Sequence, residues 1–120
     1  MIIEDLIPFK KELATTIARN KSGQIEIFPI VEMMFNEISN QVEYVLCPAQ
    51  ISEELNKKAT EIALKVSESF KQVGLLAVEM FLTDDDQILI NEVAPRPHNS
   101  AHYSIENCVN SQFDQHINSI

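Results

Sequence analysis

The sequence predicts an α+β fold, an antiparallel sheet with helices packed on one face. Three observations lead there. Strand-length runs rich in β-branched residues follow one another at 12–19, 24–32 and 41–47, with turn residues between them. One long amphipathic segment covers 53–73. Two further apolar runs, 75–83 and 87–94, are parted only by Asp84, Asp85 and Asp86. No strand–helix–strand alternation calls for a parallel sheet.

The first two runs read as a hairpin closed by Asn20-Lys21-Ser22-Gly23. Pro29 cannot donate a ladder hydrogen bond, so it marks an edge or a bulge in the second strand. The third strand follows a turn region at 36–40. In the helical segment Leu55, Ala59, Ile62, Ala63, Val66, Phe70 and Val73 recur at three- and four-residue steps. Ser52 is placed to cap it, Glu53 and Glu54 suit the positive end of its dipole, and Gly74 stands where a left-handed terminal residue is wanted. The runs after it form a hairpin. At 111–120 Phe113, His116, Ile117 and Ile120 have helical spacing, with His116 in a structural role.

The chain has 120 residues, 45% hydrophobic and 22% charged, which suits one soluble domain with a modest core. Its net charge of −9 argues against nucleic acid or an anionic membrane as partner. Cys47 and Cys108 lack metal or redox spacing and read as reduced thiols. The N-terminal residues lack the basic and apolar regions of a signal peptide, and no apolar run is long enough to cross a bilayer. A cytoplasmic location is the expectation.

Glu79 and Glu92 each lie inside an apolar strand. A loop of two residues (85–86) or four (84–87) sets them directly opposite on one sheet face; a loop of three slips the register. Facing carboxylates repel and are costly to desolvate, so compensation is required. A hard divalent cation such as magnesium fits; a buried Lys or Arg partner, or one protonated carboxyl, also would. The three aspartates of the tip read as a solvated turn. After Glu92, Pro95 and Pro97 stiffen the backbone around Arg96, which suits bidentate recognition of a carboxylate or phosphate. His98, Asn99 and Ser100 add donors and acceptors. The alternative is a proline-shaped turn whose polar groups satisfy the local backbone. His102 belongs either to the same site or to the cap of the next turn.

The stretch Asn91-Glu92-Val93-Ala94-Pro95-Arg96-Pro97-His98-Asn99-Ser100-Ala101-His102, continued by Ser111-Gln112-Phe113-Asp114-Gln115-His116, resembles the signature of the N5-carboxyaminoimidazole ribonucleotide synthetases. These are ATP-dependent carboxylases of purine biosynthesis in the ATP-grasp superfamily. Upstream, residues 3–9, Lys11-Glu12-Leu13 and Pro29-Ile30-Val31-Glu32-Met33 resemble the same enzymes in order and spacing. Formate-dependent glycinamide ribonucleotide transformylases share a similar Pro-Arg-Pro-His loop without the continuation. Ala101 departs from the pattern, which has glycine there.

The resemblance implies roles. Glu4, Asp5, Leu6 and Ile7 would form the hinge that meets adenine, and Glu12 would accept the ribose hydroxyls of ATP. Glu79 and Glu92 would hold Mg2+, with Asn91 beside them. Arg96, His98 and Asn99 would contact bicarbonate and carboxyphosphate. The implied reaction carboxylates 5-aminoimidazole ribonucleotide at the expense of ATP. With Gly23 and Gly74 as its only glycines, the chain holds no glycine-rich phosphate loop. Residues 1–120 therefore read as one partial ATP-grasp domain, its C-terminal half, a fragment inactive alone. The competing reading is a non-catalytic α+β module that binds nucleotide or oligomerises, and a homodimer is expected.

Overall fold

The computed structural model describes residues 1, 3–36, 38–39 and 41–120; of the turn expected at 36–40, Glu37 and Asn40 lie outside the described residues. The strands are β1 (Lys11–Arg19), β2 (Ile25–Ile27), β3 (Val31–Phe35), β4 (Val42–Leu46), β5 (Gly74–Leu82) and β6 (Ile88–Ala94). The helices are α1 (Glu53–Phe70), α2 (Ser104–Asn107) and α3 (Gln112–Ser119), with a 3₁₀ turn at Asn99–Ala101. All strand pairs are antiparallel, in the order β4-β3-β1-β5-β6, with β2 beside β1.

The expected single strand at 24–32 is two strands. β2 pairs Ile17 with Ile27, while β3 pairs Ala14 with Val31, so Phe28, Pro29 and Ile30 form an interruption one residue too long for a straight ladder. Pro29, which has no N–H to contribute, sits in that break. The flanking groups are satisfied: Phe28 N–H donates to Thr16 O at 2.9 Å, and Thr15 Oγ1 donates to Phe28 O at 2.7 Å.

Alternation along β1 divides the interior. Leu13 and Ile17 join Leu76, Val78, Met80 and Leu82 beneath Ala59, Ala63 and Val66 of α1, forming the main core. Ala14 turns to the opposite face, where Val31, Met33 and Tyr103 pack. The class and the antiparallel sheet are as expected, and α1 covers one face. The short C-terminal elements lie over the other: Ala18, on the Ala14 face, lines one cleft with Gln115 and Ser119 of α3, which packs near β1 and β5. They leave the β5–β6 end of that face open.

Ser52 caps α1, its side chain accepting from Leu55 N–H at 3.2 Å. Ser52→Ala should lower stability by about 1 kcal/mol, readable as a lower denaturant midpoint with unchanged slope. The helix ends earlier than the spacing suggested. Lys71, not Gly74, takes the left-handed conformation (φ 50°), and its N–H bonds to Ser67 O at 2.9 Å. Gly74 opens β5 with φ 97°, and a Cβ there would lie 2.8 Å from His116 Cε1. α3 also differs from its apolar pattern. Gln112 and Ser119 are buried while Ile117 and Ile120 are exposed, and the helix is tied down through the hydrogen bonds of Gln112 and His116. Among the described residues no helix is long and apolar enough to cross a membrane.

Candidate active site

Glu79 pairs with Glu92, as expected, but by another route. The tip has three residues: Thr83 N–H donates to Gln87 O at 3.0 Å, and Asp86 adopts φ 61° to close the turn. The pairs Leu82–Ile88, Phe81–Leu89 and Met80–Ile90 follow that loop. The register then shifts between Met80 and Glu79, leaving Asn91 as an extra residue in β6, and Glu79–Glu92 resumes the expected frame. The expectation of a two- or four-residue loop is corrected. The pairing survives because the bulge cancels the slip of the tip.

Glu79, Glu92 and His98 each offer a ligand atom, and all three lie within 4.8 Å of one another. His98 Nε2 stands 3.2 Å from Glu79 Oε1. The Glu79 carboxyl is pushed up to about 7, by burial first, then by the charges of Glu92 and Glu12, against a smaller opposing effect of Arg96. Burial, and then Arg96, push His98 downward, while Glu92 opposes. The lowered proton affinity of His98 works against a full ion pair with Glu79, although the two side chains stand side by side. Glu12 is raised by burial.

A carboxyl raised from 4.5 to about 7 stabilises the fold fully below about pH 4.5, and that contribution is lost as pH rises through about 7. Without a divalent cation, thermal stability should therefore decline across this window, and Glu79→Gln should flatten the decline. The effect is no more than about 1–2 kcal/mol, because the carboxyl is partly solvated. Parallel profiles of the two proteins would contradict the assignment.

The loop after β6 is held by its backbone. Arg96 N–H donates to Ala94 O at 2.9 Å, and the exposed guanidinium donates to Pro97 O at 3.1 Å. His98 Nδ1 lies 3.1 Å from Ser100 Oγ, which leaves Nε2 to face Glu79. Asn99 is exposed on the 3₁₀ turn. Ala101 is buried there without a positive φ, so the missing glycine costs no backbone strain.

Glu4, Asp5 and Ile7 line a cleft of about 410 Å³ with Phe81, Leu89, Ile90 and Asn91. Leu6 points away from it, 95% exposed. The Phe9 and Phe81 rings stack at 4.5 Å. Glu12 borders a neighbouring cleft beside Phe9 and Met33, so the structure separates it from the hinge cleft while leaving it close enough to act on Glu79. Sequence reasoning gave no role to Phe81, which supplies an aromatic wall, or to Gln112, which is wholly buried against the histidine loop. The motif around Ser111 was the available signal for Gln112.

The ATP-grasp domain family matches residues 1–113. N5-carboxyaminoimidazole ribonucleotide synthase of Bacillus subtilis (strain 168) is 41% identical over 119 residues, covering 99% of this chain and 31% of the relative. Phosphoribosylaminoimidazole carboxylase of Candida albicans is 43% identical over 117 residues, 98% of this chain and 20% of the relative. The solved N5-carboxyaminoimidazole ribonucleotide synthetase from Thermotoga maritima superposes with a TM-score of 0.88 at 48% identity, covering 97% of this chain and 30% of that one. A carboxyaminoimidazole ribonucleotide synthase from Aspergillus clavatus, complexed with ATP, gives a TM-score of 0.90 at 40% identity, covering 96% and 30%. The chain thus spans about a third or less of the length of these relatives.

Proposed function

The chain belongs to the ATP-grasp family, and from that premise we propose that it carries the metal- and anion-binding part of an N5-carboxyaminoimidazole ribonucleotide synthase site. The whole enzyme would join ATP, bicarbonate and 5-aminoimidazole ribonucleotide, through carboxyphosphate, in the cytoplasm and as a homodimer. The observation that carries this reading is the convergence of Glu79, Glu92 and His98 beside the Arg96 loop on an open sheet face.

The carboxylates fit a divalent cation. Glu79 is raised first by burial and then by the charges of Glu92 and Glu12, both of which a bound cation would offset. Glu79 and Glu92 would hold magnesium, with Asn91 beside them; when bound, it would neutralise phosphate charge. The rest of the chemistry falls to the chain. Glu4, Asp5 and Ile7 would seat the adenine against Phe81, and Glu12 would accept from the ribose. Arg96, His98 and Asn99 would hold the bicarbonate-derived anion, its guanidinium fork matching two oxygens at once. Positioning and charge stabilisation are what phosphoryl transfer chiefly requires.

A chimera in which this chain replaces the matching segment of the Bacillus subtilis synthase should hydrolyse ATP only when bicarbonate and aminoimidazole ribonucleotide are both present. The 120-residue chain alone should not, since it has no glycine-rich loop to exclude water. Turnover by the chain alone, or a folded chimera that ignores either co-substrate, would defeat the proposal. One observation favours the second reading, an associating module. Ile62, Val66, Phe70, Ile90 and Val93 line an apolar cleft of about 550 Å³ between α1 and the edge strand β6. If that is the chain's whole role, it will dimerise without any thermal shift from ATP and magnesium.

A further inference from the structure

Gln112 is wholly buried, and its side-chain hydrogen bonds go to His98 and His102. Its Oε1 accepts from His98 N–H at 2.8 Å, and its Nε2 donates to His98 O at 2.9 Å. This pair of bonds clamps the histidine backbone as a neighbouring strand would. The second Nε2 hydrogen goes to His102 Nδ1 at 2.8 Å. A primary amide nitrogen has two hydrogens and no useful lone pair, so His102 Nδ1 must be the acceptor. The neutral imidazole then carries its proton on Nε2. The Gln112 backbone is fixed in turn, its N–H donating to Ser104 Oγ at 2.9 Å.

His102 itself is exposed. Its Nδ1 is tied inward, its ring stacks near Phe113 with centroids 6.1 Å apart, and it is close enough to His98 to act on it electrostatically. We propose that Gln112 is a positioning residue that locks His102 as an outward Nε2–H donor for an anionic oxygen of the substrate, a carboxylate or a phosphate monoester, beside His98. A neutral donor suits that place. An imidazolium would add a positive charge beside Arg96 and His98, whereas Nε2–H offers direction without charge. The donor role rests on the ligase reading; the tautomer does not.

The test has two arms. In the ¹⁵N-labelled 120-residue chain, long-range ¹H–¹⁵N spectra should show neutral His102 protonated on Nε2 in wild type. Gln112→Met should relax it to a mixture of tautomers. A neutral His102 protonated on Nδ1 in wild type overturns the proposal, whether or not the variant folds. In the chimera, Gln112→Met and His102→Ala should each lower kcat/KM by about 10- to 100-fold, as loss of an orienting partner does. His102→Gln, which keeps an amide N–H near the Nε2 position, should recover most of the loss. A raised KM for bicarbonate assigns the oxygen to the carboxylate, and a raised KM for aminoimidazole ribonucleotide assigns it to the phosphate. Unchanged kinetics in His102→Ala overturns the donor role. A wild-type chimera without turnover would instead indict the ligase reading and leave the tautomer result standing.

Discussion

Glu92→Ala should abolish turnover in the chimera, lowering kcat by about a thousandfold, while leaving the fold as stable as before or slightly more so without metal. The two effects have one cause. Glu92 adds negative charge against the half-buried Glu79, whose carboxyl it helps to push up to about 7. Removing it relieves repulsion in the folded chain. It also removes one of two carboxylates able to hold a cation against phosphate, and loss of a preorganised electrostatic element in such a site costs about a hundred- to a thousandfold. A residue conserving only structure would behave in the opposite way, losing stability first. Turnover and thermal midpoint measured on the same preparation decide the matter. Arg96→Lys should act more mildly, because charge remains while the two-pronged geometry is lost. Intact bicarbonate-dependent turnover in that variant would shift the anion-holding role to His98 and Asn99.

Gly74→Ala should be the most damaging small substitution, lowering stability by about 2–4 kcal/mol. The backbone there has φ 97°, which any side chain strains by about 1–2 kcal/mol. The new methyl would also stand 2.8 Å from His116 Cε1 and 2.9 Å from its Nδ1. That ring cannot simply swing away, since Nδ1 accepts the Leu75 N–H at 3.3 Å and so anchors α3 to the start of β5. Overpacking of this kind adds about 1–3 kcal/mol. Gly23→Ala is the control: φ is 88°, but the nearest atom is the Arg19 guanidinium at 3.3 Å, the movable end of a long side chain. Its cost should stay near the backbone strain alone. Equal denaturant midpoints for the two variants would show that His116 yields freely.

Much of this was legible in the sequence because it rests on local rules. Strand-length runs of β-branched and apolar residues placed β1, β4, β5 and β6, and the three- and four-residue steps with Ser52 placed the start of α1. What stayed hidden depended on contacts between distant residues. Alternation alone does not show a one-residue bulge, so Asn91 was invisible as an insertion and the hairpin tip was given the wrong length. Glu79 and Glu92 were still paired correctly because two irregularities cancel. Gly74 was read as a helix terminus because a glycine there satisfies that rule equally well, and only the neighbouring His116 reveals the actual demand. Gln112 was passed over because a polar residue at a helix start ordinarily faces water. Its burial follows from the orphaned backbone groups of His98, fourteen residues away.

The pairing of β1 with β5 has a kinetic consequence. It joins Arg19 to Gly74 and Lys11 to Leu82, so the partners across the sheet's central seam lie about half the chain apart in sequence. Closing such a loop costs entropy before any contact rewards it, and proteins rich in these contacts fold in milliseconds to seconds rather than microseconds. The β5–β6 hairpin, by contrast, needs only a tip of three residues and is expected to be among the first structures to appear. Glu79 and Glu92 would therefore meet early in refolding, while still in water. Glu79 would acquire the largest part of its raised proton affinity, the part due to burial, when β1 docks over it. Proton uptake near pH 6 should then lag behind hairpin formation and report the moment at which the central seam closes.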